Sequence, residues 1–200
     1  LRAALPGRQG ERSAARLADA TRAYEADRYP EALTILREIS RAAPGVAAVR
    51  ELHGLTLYRM ARYSEAEREL RAAAELSGSV DQHPVLMDTA RAAGRLEEVE
   101  AWWTELRRAG ASSDVLAEGR LVMAGALADD GQLEAGIALL EPAARKPIRR
   151  PLDRHVRQWY ALADLYERSG ELPRARELFA RVVQADPELS DAAERLAATR

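Results

Sequence analysis

Residues 159–187 read WYALADLYERSGELPRARELFARVVQADP, and this stretch decides the fold. Trp159, Leu162, Ala163 and Tyr166 recur at i, i+3, i+4 and i+7, which sets four side chains on one stripe of a helix. Ser169-Gly170 breaks that helix. Ala175, Leu178, Phe179, Val182 and Val183 then repeat the spacing, and Pro173 falls near the first turn of this second helix, where a missing amide hydrogen costs little. Asp186-Pro187 closes the unit, which is a helical hairpin.

The turn between the two halves recurs along the chain. Its copies are Asp27-Arg28-Tyr29-Pro30-Glu31-Ala32, Ala61-Arg62-Tyr63-Ser64-Glu65-Ala66, Gly94-Arg95-Leu96-Glu97-Glu98-Val99, Gly131-Gln132-Leu133-Glu134-Ala135-Gly136 and Gly170-Glu171-Leu172-Pro173-Arg174-Ala175. Their first residues stand 34, 33, 37 and 39 apart. A turn residue ends one helix, an apolar residue covers the turn, and a small residue lets the next helix approach.

The order W-x2-L-A-x2-Y, A-x3-F and P in residues 159–187, repeated at a period near 34, resembles the tetratricopeptide repeat of bacterial helical repeat proteins, with Ala163 in place of the usual glycine. The resemblance covers residues 13–200. It implies an all-α, right-handed α-α superhelix of about five hairpins, at about 13–46, 47–79, 80–111, 112–146 and 153–187. Residues 1–12 are expected to be a linker or frayed lead-in, and a capping helix is expected over 189–199, with Leu189, Ala193, Leu196 and Ala197 on its apolar side.

Individual copies differ. Leu36, Ile39 and Pro44 complete the first; Leu52, Gly54, Leu57, Leu70 and Ala73 belong to the second. In the third, Pro84 can only start a helix, so the first helix has ten residues at most, between Pro84 and Ala93. Adjacent Trp102 and Trp103 point about 100° apart on a helix, so only one can be core, and Trp103 aligns with Phe179. The fourth copy has Leu121, Ala124, Leu127, Ile137, Leu140 and Ala143 as its apolar positions and runs into an inserted connector, Arg145-Lys146-Pro147-Ile148-Arg149-Arg150-Pro151.

Composition agrees with helices. Of 200 residues, 47% are hydrophobic but only 5% aromatic, so alanine and leucine must carry the burial, which suits close-packed helices better than strands. The formal net charge of -2 supplies no global field toward nucleic acid or an anionic membrane. With no cysteine, disulfides, thiolate metal sites and a cysteine nucleophile are excluded. The apolar run Leu121 to Ala128 is far short of the roughly 18 residues that span a bilayer. A cytoplasmic location is the expectation, and the opening Leu1-Arg2-Ala3 suggests a fragment or processed product.

Chemistry-bearing patterns are sparse. His53, His83 and His155 lie in different repeats without metal-ligand spacing and read as structural; no Gly-rich phosphate loop or nucleophile elbow occurs. We therefore expect no catalytic residues, no cofactor, no metal and no enzymatic activity. The sharpest charge feature is Arg145, Lys146, Arg149, Arg150, Arg154 and Arg157 against one acid, Asp153, within residues 145–157. It is a candidate anion site, with Arg149, Arg150 and Arg154 expected to be exposed and nucleic acid an unfavoured ligand for want of an interleaved aromatic.

The resemblance implies a protein-interaction scaffold whose first helices line a concave groove for a peptide or helix. Opposite the packing stripe these helices carry Tyr24, Leu55, Tyr58, Arg59, Asp88, Arg91, Leu121, Tyr160, Asp164 and Arg168, of which Tyr24, Tyr58, Arg59, Arg91 and Tyr160 are expected to line one surface. Tyrosine and arginine dominate binding energy at interfaces. The partner is expected to be a protein or peptide, with no membrane, and the chain itself a monomer or weak homo-oligomer. Two alternatives stand beside this: an anion- or nucleic-acid-associated factor using residues 145–157, whose binding would collapse with salt, and a self-associating structural repeat protein. Family members that grip a C-terminal carboxylate use Lys and Asn on the groove face. Here asparagine is absent and the only lysine, Lys146, lies in the connector.

Overall fold

The computed structural model describes residues 7–145 and 148–198; Lys146, Pro147 and the outermost ends, including residues 1–6 of the expected lead-in and Thr199 of the expected cap, lie outside them. The described residues fold into helices without a strand. In order these are α1 Gly7–Glu25, α2 Tyr29–Ala42, α3 Ala47–Arg59, α4 Tyr63–Ser77, α5 His83–Ala92, α6 Leu96–Arg108, α7 Ser113–Asp129, α8 Leu133–Ala144, α9 Asp153–Ser169, α10 Leu172–Ala185 and α11 Ala192–Ala198.

The recurring turn has one backbone solution. The first residue of every copy, Asp27, Ala61, Gly94, Gly131 and Gly170, takes a left-handed conformation, with φ of 56°, 57°, 69°, 85° and 83°. In four copies the next amide, of Arg28, Arg62, Gln132 or Glu171, donates to the carbonyl five residues back, at Ala23, Leu57, Leu127 or Tyr166, over 2.8–3.0 Å. This six-to-one bond satisfies a carbonyl that the helix end would leave unpaired. Glycine adopts the conformation freely and aspartate tolerates it, but Ala61 is held where a Cβ crowds the backbone. Ala61→Gly is therefore expected to stabilise the protein by about 0.5–1 kcal/mol, the relieved strain net of glycine's greater unfolded-state entropy. A lower urea midpoint for the variant would show that Ala61 is not strained.

The last residue of each copy is buried: Ala32, Ala66, Val99 and Ala175 are fully covered, and Gly136 is buried with them. The need for a small residue is clearest at Gly136, where an added Cβ would stand 2.8 Å from the Ala124 carbonyl oxygen of the facing helix. The apolar residue over the turn is less covered than the sequence suggests, since Tyr63 and Leu172 remain 40% and 45% exposed.

Contacts divide the chain between Ala93 and Gly94 into two compact units. In the N-terminal unit each helix packs on the next from α1 to α5, and the alternate helices α1, α3 and α5 also touch. Its core includes Ala20, Ala23, Ala32 and Leu36 around α1 and α2, and Leu33, Leu57 and Ala66 farther along. The C-terminal unit repeats the pattern from α6 to α11, around a cluster that includes Trp159, Leu162, Ala163, Tyr166, Ala175, Leu178, Phe179 and Val182. Trp103 is buried and Trp102 half-buried, as the alignment with Phe179 requires, and α5 has the ten residues that Pro84 allows.

Two boundaries differ from the expectation. Helix α1 starts at Gly7, inside the stretch read as a linker, because Arg8, Gln9, Glu11 and Arg12 are good helix formers and the glycine between them, Gly10, is buried. The last helix begins at Ala192, following a left-handed Ser190 (φ 53°). Consequently Leu189, Ala192 and Leu196 face the core, whereas Ala193 and Ala197 are exposed.

Candidate interaction surface

The expected residues of the N-terminal unit lie on α1, α3 and α5, with Tyr24 packed beside the start of α2 and Tyr58 beside the start of α4. Tyr24, Leu55, Tyr58, Asp88 and Arg91 are half-buried and Arg59 is exposed. Side chains tie the three helices together. The Tyr58 hydroxyl donates to Asp88 Oδ2 at 2.5 Å, and Arg91 lies 3.9 Å from the other oxygen of that carboxylate. Gln82, just ahead of α5, donates to Glu51 of α3 at 2.8 Å. Arg59 donates to Asp27 Oδ1 at 3.2 Å and lies over the Tyr29 ring, 4.8 Å from its centroid. Tyr29 meets Tyr24 edge-on at 5.6 Å, and Tyr58 meets Tyr63 at 5.7 Å. Burial, reinforced by the bond to Asp88, pushes the Tyr58 hydroxyl pKa well above the usual tyrosine range, so it remains a donor at any physiological pH.

The corresponding residues of the C-terminal unit are in a different situation. Tyr160 and Asp164 of α9 are gathered by Arg195 of α11, which donates to Asp164 at 2.8 Å, to Tyr160 at 3.2 Å and to Glu167 at 2.9 Å. Tyr160 in turn donates to Asp191 at 2.5 Å, and the Arg195 guanidinium lies 4.7 Å from the centroid of the Phe179 ring. The last helix thus covers these residues of α9. Arg168 donates to the Ala128 carbonyl at 3.2 Å, and Leu121 is half-buried against the core. Sequence periodicity picked out Tyr160 and Asp164 but not Arg195, a charged residue outside the apolar side expected for the terminal helix.

The basic connector is less uniform than its composition. Arg149 and Arg150 are exposed, and Arg145 is exposed 3.9 Å from Glu141. Lys146 lies outside the described residues. Arg154 and Arg157 belong to α9 and donate to Asp114 and Glu118 of α7 at 2.7 and 2.5 Å. Arg154, expected to be exposed, is half-buried for this reason. Its acid lies 40 residues away, so a count of nearby charges misses it.

The histidines have separate surroundings: His155 Nδ1 accepts the Leu152 amide at 3.0 Å and helps start α9, His53 sits beside Ser40, and His83 is buried at the start of α5. Among the described residues no group of three or more His, Asp or Glu side chains could hold a metal ion, and no helix is long and apolar enough to cross a membrane.

Tandem two-helix units joined by a left-handed turn, with a small residue closing each pair, define a helical-repeat protein. Residues 156–199 match the tetratricopeptide repeat family, and helices α1 to α8 repeat that two-helix unit in structure. A search of curated protein sequences returns no match. Among solved structures, the chain is similar to a thermophilic tetratricopeptide repeat protein of Thermus thermophilus, at 19% identity and a TM-score of 0.71 over 94% of this chain and 98% of that one. It is also similar to PilW, a type IV pilus biogenesis factor, at 15% identity and a TM-score of 0.72 over 92% and 86% of the two chains. A third likeness is YrrB, described as a tetratricopeptide repeat protein with an unusual peptide-binding site, at 13% identity and a TM-score of 0.57 over 90% and 89%. The fold of this chain is therefore that of tetratricopeptide repeat proteins.

Proposed function

We propose that the chain is a non-catalytic scaffold that binds an extended or helical segment of a partner protein on the face formed by α1, α3 and α5. The observation that carries this reading is the set of bonds, Tyr58 to Asp88, Gln82 to Glu51 and Arg59 to Asp27, which tie α3 to α5 and to the turn after α1 beside a half-exposed row of Tyr24, Leu55, Tyr58 and Arg91. A preformed surface lowers the ordering cost of binding, and tyrosine and arginine are the side chains that most often anchor an interface. The peptide-binding site in the name of the similar YrrB makes a peptide a reasonable ligand class for this fold. Nucleic acid is the weaker reading, because Arg154 and Arg157 already face carboxylates.

Peptides selected from a random display library against the whole chain provide the test. Tyr58→Ala, Leu55→Glu and Arg91→Ala are each expected to weaken the selected peptides by about 1–2 kcal/mol with helical content unchanged. Peptides that bind all three variants as they bind the wild type, yet fail when the outward faces of α2 and α4 are altered, would reject the assignment.

A further inference from the structure

The other side of α3 carries a feature that the interaction surface does not use. Counting from the small residue that closes each turn, the third residue onward is Ile35, Trp102, Leu139 or Leu178 in four copies, and Glu69 in the second. The thirteenth residue back is Leu86, Met123 or Leu162 in the last three copies, and His53 in the second. Both polar replacements are buried, with Glu69 3% and His53 7% exposed. They meet across α3 and α4: His53 Nδ1 lies 3.6 Å from Glu69 Oε2 and 3.2 Å from the Ser40 hydroxyl, which is itself buried. Arg50 pairs with the same carboxylate and also donates to the Pro44 carbonyl at 3.0 Å.

This polar floor lies at the bottom of a pocket of about 430 Å³ between α2, α3 and α4. Arg37 and Arg41 of α2, Arg50 of α3 and Arg68 of α4 line it. Glu69 is contacted by two guanidiniums, Arg50 and, at 3.4 Å, Arg68. Glu65, the other acid of the wall, is paired with Arg62 at 2.5 Å. Arg37 and Arg41 therefore face the pocket as exposed cations with no carboxylate within ion-pair distance among the described residues. Burial first, and then the nearby charges of Arg37, Arg50 and Arg68 against that of Glu69, keep the His53 pKa below the ordinary histidine range. Four guanidiniums line one pocket, two of them shared with Glu69; an anion with several acceptor oxygens suits them, and planar guanidinium forks pair bidentately with phosphate. Among the residues that line the pocket there is no Phe, Tyr or Trp, the rings that most often stack a nucleobase.

We propose that this pocket binds a phosphate group, with Arg37, Arg41 and Arg68 around its oxygens and the Ser40–His53 pair beneath it. The site lies on the opposite side of α3 from Tyr58 and Leu55, so it is independent of the peptide reading. Its ligand is either a free inorganic phosphate or diphosphate, or a phosphorylated serine or threonine in a peptide.

Calorimetric titration of the whole chain with pyrophosphate, and with a short phosphoserine peptide and its unphosphorylated form, tests the proposal. Because Arg37 and Arg41 are exposed, the double variant Arg37→Gln, Arg41→Gln should fold, and an unchanged circular-dichroism melt checks this. It is expected to lose at least about tenfold in affinity for the phosphate probe, while a control double variant, Arg149→Gln, Arg150→Gln, keeps wild-type affinity. Binding of the phosphopeptide alone identifies a phosphorylated segment as the source, and binding of pyrophosphate alone a small anion. If neither probe binds, or if binding is the same in the Arg37, Arg41 variant and the wild type, the proposal is overturned.

Discussion

Trp159→Ala is expected to destabilise the C-terminal unit by roughly 3–5 kcal/mol, the range for removing a buried aromatic when its surroundings collapse only in part. Trp159 is 3% exposed and shares a core with Val156, Leu162, Ala163, Phe179 and Val182, so truncation opens a cavity between α8, α9 and α10. Its indole Nε1 is buried with no hydrogen-bond partner among the described residues, which is a standing cost. Trp159→Phe keeps much of the ring packing and removes the unpaired donor, so it should recover most of the loss. Urea denaturation followed by circular dichroism measures the totals, and amide exchange in α7 to α10 locates them. An unchanged midpoint for the alanine variant would take Trp159 out of the core.

The repeat was legible because its signals are local. The left-handed residue, the covering apolar residue and the closing small residue all fall within six positions, and the sequence repeats them in five copies, so each copy supports the others. Pro84 limited α5 for an equally local reason, a missing amide and a ring that clashes one turn back. The ends were less legible. Gly7 and Gly10 fall in the stretch expected to be a linker, but glycine costs only about 1 kcal/mol in a helix, which neighbouring helix formers and burial can offset.

The candidate surface was legible only in part, because helical periodicity assigns a face and not what covers it. Tyr24, Tyr58 and Arg91 are half-buried and Arg59 is exposed. Tyr160 and Asp164 stand on the equivalent face of α9, but Arg195 reaches them from a helix about thirty residues farther along. Arg154 and Arg157 are likewise resolved by acids 40 and 39 residues away. The polar cluster of α3 and α4 did leave a local trace that the sequence reading passed over: a carboxylate and an imidazole at positions that are apolar in most other copies.

That cluster sets the second large effect. Arg50→Ala removes the nearest cation from Glu69, whose side chain is only 4% exposed, and leaves it facing His53 at 3.6 Å and Arg68 at 3.4 Å. Stripping one partner from a buried pair strands the other charge in a medium that solvates it poorly, and the loss is expected to be about 3 kcal/mol, at the low end for such pairs because Arg68 remains. The sign of a further change separates this cause from lost packing. Glu69→Leu installs the side chain found at Leu139 and Leu178, and it removes the stranded charge, so Arg50→Ala, Glu69→Leu should be more stable than Arg50→Ala alone. If packing of the arginine stem were the whole contribution, the two substitutions would add and the double variant would be the least stable of the set. Urea midpoints of the wild type, both single variants and the double variant close the cycle. A near-neutral Arg50→Ala would mean that Glu69 is satisfied without Arg50.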